Sequence, residues 1–333
     1  MYRALIIALA CAAGASRVAA LPTQADAIAS PPWLYPINPP AASKPAPFDA
    51  IRPLHLARSR IAYTEAQLND FYFAPDWFPD SHTPMPPIVA RGRAPEVYAC
   101  GFCHTASGQG RPENAALAGL PAAYIIRQVA DMKSGARRSA APSSYRPSDL
   151  MIQVAQHASE AEVAAAAAYY SRQPFSSHVR VLERARVPRS RVFGWVYAPA
   201  ERARGAPAGD EPLGLRLMEF TPDANRHEHR DDHLVYTAYA PPGSLARGRR
   251  LALGGGATAA PPCITCHGDR LQGTVAIPRL AGRSPTYLLR QLVAFKSGAR
   301  AGPDAMLMHM VVANLQIGDM IDAAAYAASL DSP

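Results

Sequence analysis

The chain has 333 residues, 33 prolines and a formal net charge of +8, and this length could hold two or three domains of ordinary size. Hydrophobic residues make up 49% of the sequence and aromatic residues 8%, a composition typical of a folded, Ala-rich protein rather than a disordered one. The basic residues are scattered, with no basic helix and no patch interleaved with aromatic residues. Nucleic-acid binding is therefore not expected.

The first twenty residues have the pattern of an export signal. Arg3 precedes an apolar core, which is followed by small residues, as in secretory signals. The core is too short to span a bilayer, which needs about 20 apolar residues. Lipidation at Cys11 is not favoured, because Ala8 stands where a lipoprotein signal prefers a large apolar residue. We expect residues 1–20 to be removed and the mature protein to be a soluble protein of the periplasm.

A proline-rich stretch follows the signal. Residues 21–60 are predicted to form an extended tether, and residues 61–89 an N-terminal extension. Within the extension, Thr64 and Gln67 form a capping box for a short helix that should end near Phe73. The irregular aromatic run around Trp77 is expected to cover one of the domains that follow.

Four of the five cysteines form two C-x-x-C-H runs, CGFCH over 100–104 and CITCH over 263–267. This is the attachment sequence of haem c, in which two thiols bind the vinyl groups of one porphyrin and the adjacent histidine lies under the iron. The four propionates of two haems would also balance part of the excess of Arg and Lys. The predicted attachment residues are Cys100, Cys103, Cys263 and Cys266. The predicted proximal ligands are His104 and His267.

Other chemistries explain the two runs less well. A thioredoxin-like pair needs only one C-x-x-C and no histidine after it. A structural zinc site explains neither the duplicated histidine nor the export signal. One C-x-x-C-H run would arise by chance in a chain of this composition with a probability of about 0.002, so two runs favour haem.

The two runs lie in two copies of one sequence. A shift of 163 positions aligns Cys100 with Cys263 and residues 117–137 with 280–300, where 11 of 21 positions are identical. Such a long period predicts two whole domains rather than a solenoid. We place the first domain at 90–174 and the second at 244–333.

Each copy is expected to fold as helix, loop and helix. In the first copy Pro121 opens a helix that Gly135 closes. A capping box from Ser159 to Glu162 begins the final helix, whose counterpart starts near Asp319.

Residues 175–243, between the copies, have the pattern of strands. Four segments rich in β-branched and aromatic residues are separated by Pro, Gly and Asp, which predicts a small antiparallel insert of three or four strands. Within it His227, His229 and His233 could bind a metal. A charged turn explains these histidines more simply.

With these residues in view, both copies resemble the class I cytochrome c fold, and the pair resembles the di-haem c4-type cytochromes of bacterial periplasms. The resemblance implies electron transfer and His/Met ligation of two haem irons. The predicted fold class is mainly α, with two class I cytochrome c domains joined by the small antiparallel β insert and preceded by the Pro-rich extension. The matching residues of the first copy are CGFCH, LAG, Tyr124, Arg127, Gln128, KSG and Met151. Those of the second copy are CITCH, PRLAG, Tyr287, Arg290, Gln291, KSG and Met308.

The sequence departs from this family at two points. The family has a proline whose carbonyl accepts a hydrogen bond from the proximal histidine, and Pro278 fits this role. The first copy has Ala115 there, which still offers a carbonyl. The connection between the copies is also longer than the usual linker of the family.

The repeat selects the distal ligands that the resemblance implies. Met151 and Met308 each lie 18 residues before an aligned tyrosine. Met306 and Met310 align with residues that lack a thioether, so we expect them to fill gaps in the core. The predicted axial pairs are His104 with Met151 and His267 with Met308. The alternative distal ligands are His157 and His309.

The predicted function is the transfer of single electrons between redox protein partners, with docking to a membrane complex as one option. A peroxidase-like di-haem oxidoreductase, a cytochrome subunit of a dehydrogenase complex and a sensor module are the alternatives. A peroxidase would need one iron with a displaceable ligand, and the matched methionines argue against it. Thiosulfate dehydrogenases share the two-domain framework but need a cysteine as distal ligand, and the mature chain has no spare cysteine.

Overall fold

The computed structural model describes residues 30–39, 51–202, 205–255, 258 and 260–330. The predicted signal peptide and Cys11 lie outside the described residues. The α-helices are α1 Glu65–Asn69, α2 Pro87–Ala90, α3 Cys100–His104, α4 Ala122–Lys133, α5 Arg146–His157, α6 Glu160–Ser171, α7 Ala224–Glu228, α8 Ser244–Leu253, α9 Ile264–His267, α10 Pro285–Lys296, α11 Met306–Ala313 and α12 Ile317–Ser329. The strands are β1 Pro53–His55, β2 Ala62–Thr64, β3 Val179–Glu183, β4 Arg186–Pro188, β5 Ser190–Phe193, β6 Val196–Pro199, β7 Asp210–Pro212, β8 Met218–Phe220 and β9 Tyr236–Ala240.

The helices follow the internal repeat, because α3, α4, α5 and α6 recur in order as α9, α10, α11 and α12. Helix α4 begins directly after Pro121 and ends before Gly135, whose φ is +80°. At the start of α6 the Glu162 amide donates to the Ser159 hydroxyl at 3.3 Å, and the Ser159 amide donates to the Glu162 carboxylate at 2.8 Å. These helix predictions are confirmed.

In the second copy, α8 packs closely against α12. Gly248 of α8 faces the Asp322 carbonyl and lies where a Cβ would be 2.7 Å from the Tyr326 Cβ. Beside this contact, Arg247 makes two bonds to the Asp322 carboxylate, at 2.6 and 2.9 Å. In the first copy the element before the attachment helix is only the short α2, which also packs against α6. The glycine therefore permits a helix crossing that the ion pair holds in register.

The insert between the copies differs from the predicted antiparallel sheet of three or four strands. Five strands form one sheet in the order β3-β9-β8-β6-β5, and β4 pairs with β7 in a separate two-stranded ribbon. The sheet is mixed, since β3 runs parallel to β9 and β6 runs parallel to β8. The prediction was wrong because alternation of apolar and polar residues identifies a strand but does not show which strand pairs with it. Here the parallel pairs join strands that are separated by long connections.

The N-terminal region contacts both copies. Leu34 and Tyr35 are buried in the core of the second copy, so this part of the predicted tether packs rather than extends freely. The capping box at Thr64 is confirmed, although α1 ends at Asn69 instead of near Phe73. Trp77 is 2% exposed, and its indole N–H donates to the His229 carbonyl at 2.7 Å, which joins the extension to the insert.

In the described part of the chain, none of the helices is both long enough and apolar enough to cross a membrane.

We predict that Gly248→Ala lowers the free energy of unfolding by about 2 kcal/mol, because the added methyl group overpacks the contact between α8 and α12. Gly318→Ala in α12 is the matched control. A Cβ at residue 318 would meet only a Leu215 methyl, at 3.8 Å, so this change should be neutral or stabilising by up to about 1 kcal/mol. Denaturant unfolding of the holoprotein measures both values. Equal stabilities of the two variants would contradict the close helix contact.

Candidate haem centres

The two C-x-x-C-H runs form short helices that present their histidines in the same way. His104 at the end of α3 is buried, and its Nδ1–H donates to the Ala115 carbonyl at 2.8 Å. His267 at the end of α9 is buried too, and its Nδ1–H donates to the Pro278 carbonyl at 2.9 Å. A carbonyl can only accept, so each ring is fixed with its proton on Nδ1 and its Nε2 lone pair free for a metal. The substitution of proline by Ala115 leaves this bond unchanged.

The protonation chemistry of the runs suits haem attachment rather than thiol redox exchange. None of the four cysteines of the runs is joined to another in a disulfide. Burial raises the pKa of Cys100 to about 12, whereas a redox-active C-x-x-C pair has a lowered thiol pKa. Burial also lowers the pKa of His104 and of His267, which favours the neutral imidazole that binds iron.

The methionines near the predicted distal position differ in exposure. Met151 lies on α5 and Met308 on α11, and both are half-buried. Met308 packs against the core of the second copy. Met306 and Met310, by contrast, are 65% and 57% exposed, so the expectation that they fill gaps in the core is wrong.

The two copies meet at a short antiparallel bridge. Arg137 pairs with Arg300, its counterpart in the repeat. The Arg138 amide donates to the Ala299 carbonyl at 2.7 Å, and the reciprocal bond between the matching residues has the same length. The contact between the copies therefore has the symmetry of a two-fold axis.

The side chains of the two arginines cross this axis. Arg137 donates to the Tyr287 hydroxyl and to the Gln291 amide oxygen of the second copy, both at 3.0 Å. Arg300 donates to the Tyr124 hydroxyl at 2.8 Å and to the aligned glutamine of the first copy at 2.6 Å. Each copy thus completes the hydrogen bonding of the other.

The crossed arginines are buried cations with neutral partners. Arg137 is 8% exposed and Arg300 is 7% exposed. Within the described residues, neither forms an ion pair. Burial by itself raises the pKa of Tyr124, but the two guanidiniums outweigh it and the net shift is downward. The buried Asp131 carboxylate attracts both guanidiniums. Because guanidinium binds carboxylate strongly, the pair would also fit the propionates of haem.

Sequence reasoning did not assign a role to Arg137 and Arg300. The signal that could have found them is the repeat, because the most similar stretch of the two copies ends on these two residues. The repeat marks them as shared by both copies, but it cannot show that each one reaches across to the other.

The histidines of the insert do not form a metal site. In the described residues no group of three or more His, Cys, Asp or Glu side chains could hold a metal ion. His227 is fully buried, with its two ring nitrogens bonded to the Tyr236 hydroxyl and the Gly194 carbonyl, each at 2.9 Å. His233 stacks on Phe78 at 3.8 Å between ring centroids. His227 therefore connects segments of the insert to one another. His233 connects the insert to the N-terminal extension.

Comparison with known proteins supports the haem assignment. The thiosulfate dehydrogenase electron acceptor of Thiomonas intermedia is 29% identical over 221 residues, which span 65% of this chain and 71% of that protein. The cytochrome c-554(548) of Halomonas halodenitrificans is 41% identical over 68 residues, 20% of this chain and 82% of that protein. Cytochrome c4 of Azotobacter vinelandii is 26% identical over 231 residues, 68% of this chain and 82% of that protein. No family model matches the chain.

Among solved structures, the reduced recombinant cytochrome c4 from Pseudomonas stutzeri aligns with 69% of this chain and 93% of its own, at 23% identity and a TM-score of 0.45.

The chain belongs to the c-type cytochromes. With its two attachment runs, it is a di-haem cytochrome similar to cytochrome c4, and it carries two covalently bound haem c groups. Its function is electron transfer between redox proteins.

We predict that Arg137→Met lowers the free energy of unfolding of the holoprotein by about 2–4 kcal/mol, because charged hydrogen bonds are lost and their buried partners are left unpaired. The matched control is Arg138→Met, whose side chain is exposed and should change stability by less than about 0.5 kcal/mol. Denaturant unfolding followed by the haem absorption band measures both variants. If Arg137→Met is no more harmful than Arg138→Met, the crossed bonds do not stabilise the contact.

Proposed function

We propose that each haem iron is held by one histidine and one methionine, His104 with Met151 and His267 with Met308, in a periplasmic carrier that passes single electrons between redox proteins. The observation that carries the ligand assignment is the matched position of Met151 and Met308 in the two copies. A bound haem iron supplies the chemistry, the reversible exchange of one electron between its ferric and ferrous forms.

The contacts around Met308 support its assignment over its neighbours. A distal ligand must point into the interior, and Met308 contacts the buried core while Met306 and Met310 face outward. The alternative ligand His309 has its Nε2 bonded to the Arg300 carbonyl at 2.7 Å. That nitrogen is engaged at the contact between the copies and is not free for iron.

The same comparison in the first copy favours Met151. His157, the alternative ligand there, is exposed at the end of α5, whereas Met151 is half-buried and lies six residues earlier on the same helix. A thioether ligand stabilises ferrous iron and raises the reduction potential relative to a second histidine. The proposed ligand set therefore suits a carrier that accepts electrons readily.

The periplasm is the proposed location, because the first twenty residues have the pattern of an export signal and cytochrome c maturation requires export.

A thiosulfate-oxidising enzyme is the proposed electron donor. This proposal rests on the similarity to the thiosulfate dehydrogenase electron acceptor of Thiomonas intermedia, which covers 71% of that protein.

The ligand assignment predicts the behaviour of the sulfur–iron charge-transfer band at the red end of the ferric spectrum. Met151→Ala and Met308→Ala should each remove about half of this band, because each variant takes the thioether from one of two similar irons. Met306→Ala and Met310→Ala are the matched controls and should leave the band intact. An unchanged band in Met151→Ala or Met308→Ala would overturn the assignment, and His157 or His309 would then be the ligand to test.

The proposed donor predicts a reconstituted reaction. Oxidised holoprotein, mixed with a purified thiosulfate dehydrogenase and thiosulfate, should become reduced at both haems, as followed by the rise of the ferrous absorption bands. Thiosulfate without the dehydrogenase should give no reduction on the same timescale. If the dehydrogenase fails to reduce a protein that ascorbate reduces fully, a thiosulfate-oxidising donor is excluded.

A further inference from the structure

Arg283 of the second copy bonds to a backbone loop of each copy. Its Nη1 donates to the Ala116 carbonyl at 2.5 Å and its Nη2 donates to the Ala118 carbonyl at 3.0 Å, both in the first copy. Its Nε donates to the Arg279 carbonyl of its own copy at 2.8 Å. One guanidinium therefore joins two loops that belong to different copies.

In the first copy, the carbonyl that Arg283 binds adjoins the acceptor of the proximal histidine. His104 donates to the Ala115 carbonyl at 2.8 Å, and Ala116 is the next residue along the chain. The guanidinium thus holds the peptide group that directly follows the acceptor.

The second copy has the same arrangement at the aligned residues. His267 donates to the Pro278 carbonyl at 2.9 Å. The next residue is Arg279, which aligns with Ala116 at the shift of 163 positions. The guanidinium therefore binds equivalent carbonyls of the repeat, each beside the acceptor of a proximal histidine.

Arg283 itself has no counterpart in the first copy. The aligned residue is Leu120, which is buried in the core of its own copy. The backbone before these residues does correspond, since the amides of Gly119 and Gly282 each donate to the final helix of their copy. Only the side chain differs: Leu120 enters its own core, and Arg283 crosses to the other copy.

The first residues of the insert cover this arginine. The ring centroid of Phe175 lies 4.5 Å from the guanidinium carbon of Arg283. Beside it, the Ser177 hydroxyl donates to the Gly282 carbonyl at 3.0 Å, and a Cβ on Gly282 would lie 3.0 Å from the Ser177 Cβ. Under this close packing Arg283 is 4% exposed.

The charge of Arg283 strengthens its bonds to the loops. It forms no ion pair among the described residues. Burial lowers its pKa to about 10, so the group is still positive at neutral pH. A charged donor binds a carbonyl more strongly than a neutral one, and the planar guanidinium presents several donors at fixed angles. Such a group can hold carbonyls of two loops at once.

The other buried arginines of the second copy have different partners. Arg290 donates to the carbonyls of Leu34 and Pro112, and Arg300 donates to side chains at the contact between the copies. In the part of the chain that the structure describes, neither of them bonds to the residue that follows an acceptor of a proximal histidine.

We propose that Arg283 is a positioning residue for both haem centres, because it fixes the two peptide segments whose carbonyls accept from the proximal histidines. A metal-binding histidine whose ring N–H is bonded to a fixed acceptor keeps one tautomer and one ring orientation, and it is a stronger ligand. One side chain thus sets the orientation of both rings. The inference rests on the proposed ligation of the irons by His104 and His267, and it does not depend on the distal ligands.

The test follows the exchange of the two ring Nδ1–H protons with D2O, by proton NMR of the ferrous holoprotein. In Arg283→Leu, which introduces the residue of the first copy, both protons should exchange at least about tenfold faster than in the wild type. The reason is that loops without these charged hydrogen bonds open more often. The backbone amides of α6 and α12 are the internal reference and should be accelerated less than the ring protons.

Two further variants separate the bridge from the charge. Arg283→Lys keeps the positive charge, but its single ammonium group cannot bond to both loops in the geometry of the fork. At least one ring proton should therefore exchange as fast as in Arg283→Leu. Arg290→Leu is the matched control for the removal of a buried cation. It should leave the His267 ring proton at its wild-type rate relative to the α12 amides.

The proposal is wrong if Arg283→Leu leaves both ring protons protected, or accelerates them no more than the amides of α6 and α12. It is also wrong if Arg283→Lys protects both protons, or if Arg290→Leu accelerates both as strongly as Arg283→Leu. An error in the ligand assignment gives a different result. A histidine that does not bind iron would lack the ring-current shift of the haem in the wild-type spectrum, before any substitution is made.

Discussion

The crossed contact of Arg137 and Arg300 is the interaction on which the arrangement of the two copies depends. Each arginine leaves its own copy and donates to a tyrosine and a glutamine of the other. A buried guanidinium is stable only where its donors are satisfied and its charge is balanced. Because each arginine finds part of its hydrogen-bond acceptors only in the other copy, the contact favours this one orientation of the two copies. The short backbone bridge beneath the side chains fixes the same orientation.

The insert and the N-terminal extension break this symmetry. Both lie over the attachment helix of the first copy, where Phe102 is buried against Ala74 of the extension and Arg230 of the insert. The matching helix of the second copy keeps an exposed cysteine. Two similar sequences are therefore placed in unequal surroundings, with the attachment helix of the first copy covered by the extension and the insert.

Other buried arginines of the second copy connect parts of the chain that are far apart in sequence. Arg290 of the second copy donates to the carbonyls of Leu34 and Pro112, and Arg283 donates to those of Ala116 and Ala118 at 2.5 and 3.0 Å. These are buried cations that bind backbone carbonyls across an interface. They explain part of the basic character of the chain without a nucleic-acid partner, since the charges are used inside the molecule.

The sequence by itself determined the repeat and the helices that begin after Pro121 and Ser159, and it predicts the attachment cysteines and the proximal histidines. These features depend on short spacings and on capping, which neighbouring residues fix without reference to the rest of the fold. Tertiary structure alone decided the mixed order of the sheet, the burial of Leu34 and Tyr35, and the exposure of Met306 and Met310. It also decided the positions of Arg137, Arg300 and Arg230, because the partners of a buried arginine lie in segments more than a hundred residues away. A spacing pattern identifies a residue that binds through its own segment, but a residue that acts on a distant segment is recognised only once the chain has folded.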